Sequence, residues 1–489
     1  MNDNRQTGVL LSVTSLPSRF GIGDFGPEAY HFIDLLSEYH IAYWQILPLN
    51  PIGYGHSPYQ PYSSFAIDEQ FINLDELVHK GFLGRVRPFQ KDEKFVHYEE
   101  CREYKLPLLR RAFKKQIKKS PNCLRRFIHD NPWVKDWSVF SMFKRTFQSS
   151  WDAWPEEAKL YCKKRVPLTP KQKEDVDFEI WLQMVAYRQW DKLHTYAKRK
   201  GISIIGDIPF YVGYDSCDVW ANQDMFLLDE TTLKPTFIAG VPPDYFSATG
   251  QRWGNPIYNW EKLQQTDFDF LIKRIAINAS IYDVIRLDHF RAFDTYWKIP
   301  SSCETAIDGQ WIEAPGYAFF DKLLSLYPGL PIIAEDLGDL RPEVLTLRDH
   351  YNFPGMNVIQ FTFEDCEIAH KGDWRRVNSV CYLGTHDNDT IVGFTSKMEQ
   401  WQIKQWEDAL ANIHINDGSL AEKLIQYCLA KPGKWAILTM QDILGLGSES
   451  RTNVPGVVDQ VNWTFRMVDF KEFEERLPKI KEWMQSYGR

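Results

Sequence analysis

The stretch IIGDIPFYV, residues 204–212, is a short apolar run interrupted by one carboxylate, Asp207. Three later stretches repeat the pattern: VIRLDHFR at 284–291, IIAEDLG at 332–338 and GTHDNDT at 384–390. A run of this kind reads as a strand buried on both faces, as in a parallel sheet covered by helices, and its end is where a charge first reaches water. If these strands close into one barrel, their ends converge. Asp207, Asp288, Glu335 and Asp387 then ring a single pocket, the way barrel enzymes gather catalytic groups from different strands.

Working outward, the chain offers enough further runs for such a barrel. Val9–Ser12, Ile41–Leu49, Ile202–Phe210, Tyr282–Phe290, Pro331–Leu337, Asn357–Phe363, Ser379–Gly384 and Trp435–Met440 make eight candidate strands. Helical periodicity falls between several of them. In Pro27–Glu38, Ala29, Phe32, Ile33 and Leu36 recur at helical spacing after the turn-forming Gly26. Alternating strand and helix predicts an α/β fold, a (β/α)8 TIM barrel. About 150 residues separate the second and third candidate strands and about 70 the third and fourth, far beyond an ordinary crossover. The expectation is therefore a single catalytic barrel over 1–489 with largely helical insertions: a helical subdomain at 75–200 and a second insertion at 213–280.

Within the first insertion, Leu108–Arg126 carries eight basic residues around an apolar stripe of Leu109, Phe113 and Ile117. That stripe favours a surface helix with a solvated basic face over a nucleic-acid site. The whole chain points the same way: 57 basic against 65 acidic residues leave a net charge of −8, with no reason to expect an anionic polymer as partner. A second helical segment, Phe178–His194, carries Ile180, Met184 and Tyr187 on one side and is expected to pack the insertion onto the barrel.

Met1–Gln6 lacks an apolar signal core and no run approaches the ~20 apolar residues that span a bilayer, so a cytoplasmic protein with no membrane partner is expected. The eight cysteines form no CxxC pair or zinc-ligand cluster and are expected to be reduced thiols. No metal site and no phosphate-binding loop is discernible, and no cofactor is expected.

Aromatic residues make up 15% of the chain, including 18 Trp. Aromatic rings serve cores above all, but they also stack on the C–H faces of sugars. The motifs decide. TSLPSRFGIGDFG, YWQILPLNP, GHSPYQ, GVPPDYFSATGQRWGNPIY, RLDHFR, IIAEDLG and GTHDNDT follow one another from Thr14 to Thr390, and together they resemble the 4-α-glucanotransferase (amylomaltase, disproportionating enzyme) family of the α-amylase clan. QDILGLGSESRTNVPG, after residue 440, continues the likeness.

The resemblance implies a retaining transfer of α-1,4-glucan segments between maltooligosaccharides. It makes Asp288 the nucleophile, Glu335 the general acid/base and Asp387 the third carboxylate, which holds sugar hydroxyls. Arg286, His289 and His386 match groups that bind the central sugar, Asp207 a carboxylate of the same pocket, and Tyr59 a substrate-contacting aromatic. The loop around Asp244, Tyr245, Phe246 and Trp253 resembles a lid over the donor. From pattern alone, that loop reads equally as a rigid connection whose aromatics pack on the barrel.

The chemistry has its own logic. A glycosidic bond yields to one carboxylic acid that protonates the departing oxygen and one carboxylate that attacks the anomeric carbon, the two about 5–5.5 Å apart in a retaining enzyme. Arg286, two positions before Asp288 on one strand, points to the same side and favours the ionised nucleophile. Glu335, beside other carboxylates, is expected to keep its proton by like-charge repulsion. Asp336, its neighbour, faces the other way and reads as structural, and Asp389 is open. Asp207 serves either substrate or a local pairing. Three segments depart from the family pattern: Ser12, Ile67–Gln70 and Glu364–Arg376. None removes a carboxylate, but they bear on acceptor preference. The alternatives are an α-glucan hydrolase with the same carboxylates and a catalytically silent glucan-binding protein, which has no use for carboxyl groups tuned apart.

Overall fold

In the computed structural model, which describes residues 5–89, 94–243, 247–338, 340–362, 377–459 and 461–489, a strand overlaps each of the eight apolar runs, though in the run from Asn357 only Asn357 and Val358 are strand and Ile359–Thr362 is a short 3-10 helix. Among the described residues the strands in chain order are β1 (Gln6–Leu10), β2 (Tyr43–Gln45), β3 (Ser203–Ile208), β4 (Phe237–Val241), β5 (Gln251–Pro256), β6 (Val284–Leu287), β7 (Thr295–Pro300), β8 (Gln310–Glu313), β9 (Ile332–Ala334), β10 (Gly355–Val358), β11 (Ser379–Tyr382) and β12 (Trp435–Thr439). Eight of them pair in parallel in the order β10-β11-β12-β1-β2-β3-β6-β9. The two ends of that order meet: the Ala334 N–H donates to the Pro354 carbonyl at 2.9 Å and the Met356 N–H to Asp336 Oδ1 at 2.7 Å. The sheet thus closes as a (β/α)8 barrel, with Asp336 structural as its strand position predicts.

Strand periodicity divides the core in two. Val380 and Tyr382, with Leu10, Ile205, Ile333 and Ile437, belong to one apolar cluster inside the barrel, whereas the alternate positions Cys381, Leu383, Ala436 and Leu438 join the larger cluster between strands and helices. Gly206 is required on β3 because the Tyr282 ring occupies the space where any Cβ would stand. The helix Pro27–Glu38 buries Ala29, Phe32, Ile33 and Leu36 as its spacing predicts.

Between β2 and β3 the chain is helical. The longest element, Pro170–Arg199, starts at a capping box in which Gln172 and Thr169 satisfy each other's backbone N–H groups, with Pro170 at the first helical position. It is tied to the loop after β2 by two buried amides. Gln183 exchanges hydrogen bonds with the backbone of Ile67 (2.9 and 2.8 Å), and Gln189 with that of Asn73 (2.7 and 3.1 Å). Trp190 Nε1 donates to the Ile281 carbonyl at 2.9 Å on the barrel side.

The basic stretch divides at Ser120–Pro121 into the helices Tyr98–Lys119 and Arg125–Asp130. Leu109 and Phe113 are buried, and Arg110 lies over Phe178 at 3.8 Å while bonding Asp175 at 2.7 Å. Part of the basic face is therefore matched by the long helix.

After β3 an antiparallel sheet, β5-β4-β7-β8, recruits strands from both sides of β6, and its β5 touches the segment after β3, where Asn255 Nδ2 donates to the Val212 carbonyl at 2.8 Å. Asp244, Tyr245 and Phe246, expected in a lid between β4 and β5, lie outside the described residues, as does Glu364–Arg376. Among the described residues no helix is long and apolar enough to cross a membrane, and the described cysteines are free thiols.

Candidate active site

The strand register brings the predicted carboxylates to one place. Asp207 on β3 pairs directly with Arg286 on β6, and Leu287 pairs with Ala334 on β9, so Asp288 and Glu335 leave adjacent strand ends. Backbone bonds fix those ends: the Asp288 N–H donates to Ile208 O (3.0 Å), Glu335 N–H to Leu287 O (3.0 Å) and Phe290 N–H to Glu335 O (3.1 Å).

Arg286 lies at the centre. Its Nη1 donates to both oxygens of Asp207 at 2.8 Å and to Asp288 Oδ1 at 2.9 Å. Burial opposes the guanidinium charge, but Asp207 and Asp288 outweigh it and hold the arginine charged well above its ordinary range. Asp288 remains 29% exposed while Asp207 is sealed at 1%. Tyr59 closes over Asp207 by donating to Oδ2 at 2.8 Å, and its ring stacks on His386 with centroids 4.8 Å apart. Both oxygens of Asp207 are thus engaged by protein.

Glu335 is treated differently. It accepts from the His289 N–H on Oε2 (2.7 Å) and the Leu337 N–H on Oε1 (3.0 Å), and lies within the field of Arg286, all of which favour the anion. Burial overrides them, and with the charge of Asp288 it pushes the carboxyl up to about 8. The upward push on the carboxyl is in the expected direction, but burial is its first cause and the charge of Asp288 adds to it. His289 supplies its N–H because its backbone takes a left-handed φ of 52° directly after Asp288. Burial lowers its imidazole to about 4 despite Asp288, so the ring is neutral at pH 7. Trp253 on β5 presents its ring to that imidazole edge-on at 4.9 Å, which brings the antiparallel sheet into the pocket.

Asp387 follows β11 in the turn 384–388 and is the most open of the three carboxylates at 46%. His386 Nε2 lies 3.4 Å from its Oδ2, and Asn453 Nδ2 donates to Oδ1 at 2.6 Å. Arg451 donates to the Asp387 carbonyl and, through Nε, to Asn453 O at 2.7 Å. Asp389 turns away to Lys397 and Ser448.

Arg451, Asn453, Trp463 and Tyr211 have no assignment from sequence. Trp463 lies against Tyr59 and His386 at 5.7 and 5.8 Å. The Tyr211 ring is 6.1 Å from that of His289, and neither the Tyr211 hydroxyl nor His289 Nε2, both buried, has a hydrogen-bond partner. RTNVPG did belong to the family likeness, but no rule of spacing connects residue 453 to residue 387. Among the described residues no three of His, Cys, Asp or Glu are grouped to hold a metal ion.

A closed (β/α)8 barrel that sets one carboxyl pushed up to about 8 beside one bound to arginine, on neighbouring strand ends, has the paired carboxyls of enzymes that make and break glycosidic bonds. The comparisons make this particular. The sequence profile described as 4-alpha-glucanotransferase matches residues 11–471, and the chain belongs to that family. It is 40% identical to the 4-alpha-glucanotransferase of Aquifex aeolicus over 99% of both chains, and 40% identical to that of Synechocystis over 95% of this chain and 94% of the relative. A solved amylomaltase from Streptococcus agalactiae, in complex with acarbose, superposes with a TM-score of 0.93 at 35% identity over 99% of both chains.

Proposed function

We propose that this 4-alpha-glucanotransferase moves α-1,4-glucan segments from a maltooligosaccharide donor to glucose or another glucan by two displacements. Asp288 attacks the anomeric carbon as Glu335 protonates the departing glycosidic oxygen, so the C–O bond to the leaving glucan breaks as the bond to Asp288 forms. Glu335, now an anion, takes the proton of an acceptor hydroxyl, whose oxygen displaces Asp288 and regenerates both groups. The observation that carries this reading is the contrast within the pair: Arg286 bonds Asp288 at 2.9 Å, while Glu335 is pushed up to about 8.

The other residues take roles from their contacts. Asp387, open to the pocket, holds sugar hydroxyls, and His386 and Tyr59 border the same sugar. His289 Nε2 and the Tyr211 hydroxyl have unused hydrogen-bonding capacity that a bound sugar would satisfy. Asp207 acts through Arg286 and Tyr59 rather than on substrate. Trp253, with Asp244, Tyr245 and Phe246, is assigned to a lid that keeps water from the glycosyl-enzyme. We place the enzyme in the cytoplasm, as one barrel with insertions at 75–200 and 213–280.

The test is incubation with maltotriose while products and total reducing ends are followed. Glucose and a ladder of longer maltooligosaccharides, at constant reducing ends and with α-configured new linkages by NMR, are expected. Rising reducing ends would reassign the protein as a hydrolase, and β-configured products would remove the double displacement. Asp288→Asn should abolish turnover without changing the circular-dichroism spectrum; retained activity in that variant would remove the nucleophile assignment.

A further inference from the structure

Trp463 carries its backbone in the left-handed region, at φ 69°. A bulky side chain is an outlier there, because glycine or asparagine adopts that conformation with far less strain. Such residues persist only where the surrounding structure over-determines them, and they cluster at active sites. Here the backbone is held on both sides. The Trp463 N–H donates to the Thr452 carbonyl at 2.7 Å, and the side chain of Asn462 exchanges hydrogen bonds with the backbone of Val454 at 3.0 and 3.3 Å. The Trp463 carbonyl accepts from the buried Tyr98 hydroxyl at 2.7 Å, which Thr14 also bonds. One residue on, the Val96 N–H donates to the Thr464 carbonyl at 2.8 Å. Tyr98 opens the helix Tyr98–Lys119, so the helical insertion itself grips this residue.

The strained backbone aims one ring. Trp463 is only 9% exposed, which makes the ring a wall behind the pocket rather than a surface for sugar. It meets Tyr59 and His386, whose own planes stack 15° apart, and the three rings close a triangle. Two polar arms leave that triangle. The Tyr59 hydroxyl bonds Asp207, which shares Arg286 with Asp288, and His386 Nε2 faces Asp387. The cavity that Trp463 borders with Tyr98 and Thr452 holds about 20 Å³, room for one water and far too little for an indole, so the ring cannot withdraw. Glycine at this position would relieve the backbone and leave both arms without a backstop.

We propose that Trp463 is a positioning residue for the reaction: its ring, held from the helical insertion through Tyr98, sets Tyr59 on Asp207 and His386 on Asp387 together. The proposal rests on the roles given above to Asp288 and Asp387. It also gives the insertion a part in ordering the site, since the Tyr98–Trp463 bond joins that subdomain to both arms.

The experiment is steady-state kinetics on maltotriose for the full chain and its Trp463→Ala, Trp463→Phe and Tyr98→Phe variants, with a crystal structure of Trp463→Ala. Misplaced groups cost turnover more than binding, so kcat should fall about 10–100-fold in Trp463→Ala while KM changes by less than about threefold. Trp463→Phe should bring kcat back to within about fivefold of the parent, and Tyr98→Phe, which keeps its ring and loses the hydrogen bond, should lower it about threefold or more. In the crystal the Tyr59 hydroxyl should have left Asp207 and its ring should no longer stack on His386. A lower melting temperature at the parental kcat, or Tyr59 and His386 unmoved in the crystal, would overturn the proposal. Where Trp463→Ala fails to fold, an unchanged kcat in Tyr98→Phe overturns it instead. The ratios of kcat are taken on whatever products the parent releases. Net hydrolysis by the parent removes the transferase reading and leaves this one, whereas transfer by Trp463→Ala at the parental rate removes this one alone. If the parent leaves maltotriose intact, the crystal decides.

Discussion

In the proposed double displacement Glu335 takes two tasks that need opposite protonation states, and its surroundings let one group serve both. Before the first step the acid form is required, and a carboxyl held up to about 8 carries its proton at pH 7. Once Asp288 is esterified, one source of repulsion is gone and the anion becomes easier to hold against the His289 and Leu337 N–H groups. The alkaline limb of kcat/KM should therefore fall near pH 8. Glu335→Gln should lower kcat by about 10²–10⁴-fold and abolish that limb; a limb unchanged in this variant would assign it to another group. The stability sign follows from the same shift. A carboxyl whose folded value lies above its unfolded one stabilises fully below the unfolded value, and that contribution is lost as pH rises through about 8. The Gln variant should gain in melting temperature relative to the parent between pH 5 and pH 9.

At the scale of elements, the segment after β12 works as a latch on the third carboxylate. Asn453 meets Asp387 side chain to side chain, and Arg451 ties the backbones of both. Asn453→Ala removes a hydrogen bond to a charged group, worth about 1.5–3 kcal/mol, so kcat/KM on maltotriose should fall about 10–100-fold with the melting temperature nearly unchanged. Loss of stability without loss of kcat/KM would make Asn453 a structural residue only. This latch also marks where sequence reading ends. The barrel strands were legible because a short apolar run with no polar face must be covered on both sides, and the carboxylates because each sat at such a run's end. Asn453, Trp463 and Tyr211 reach the site from turns and loops, where no periodicity records what a side chain faces. Asp207 was visible for the same reason as Asp288, yet only the pairing of β3 with β6 shows that it serves Arg286.

At the scale of the molecule, the helical insertion is joined to the barrel by polar bonds as well as by apolar packing. Gln183→Leu keeps the volume but strands the N–H and C=O of Ile67, each costing about 1–3 kcal/mol. It should lower the melting temperature while insertion and barrel still unfold together, as followed by circular dichroism and by activity. A separate, earlier helical transition would show the insertion to be an independent unit.

The barrel's closure is unequal around its circumference. Seven neighbouring strand pairs are laced by ladders, whereas β9 and β10 meet through the Ala334–Pro354 bond and the Asp336 carboxylate, itself paired with Arg348. This seam begins one residue from Glu335. A hoop opens where it is joined, so thermal breathing should concentrate there, with deuterium entering the amides of Ala334 and Met356 before those of β1 or β12. Moderate heat would then disarm the proposed proton donor while the rest of the hoop still holds its shape, and cooling would restore it.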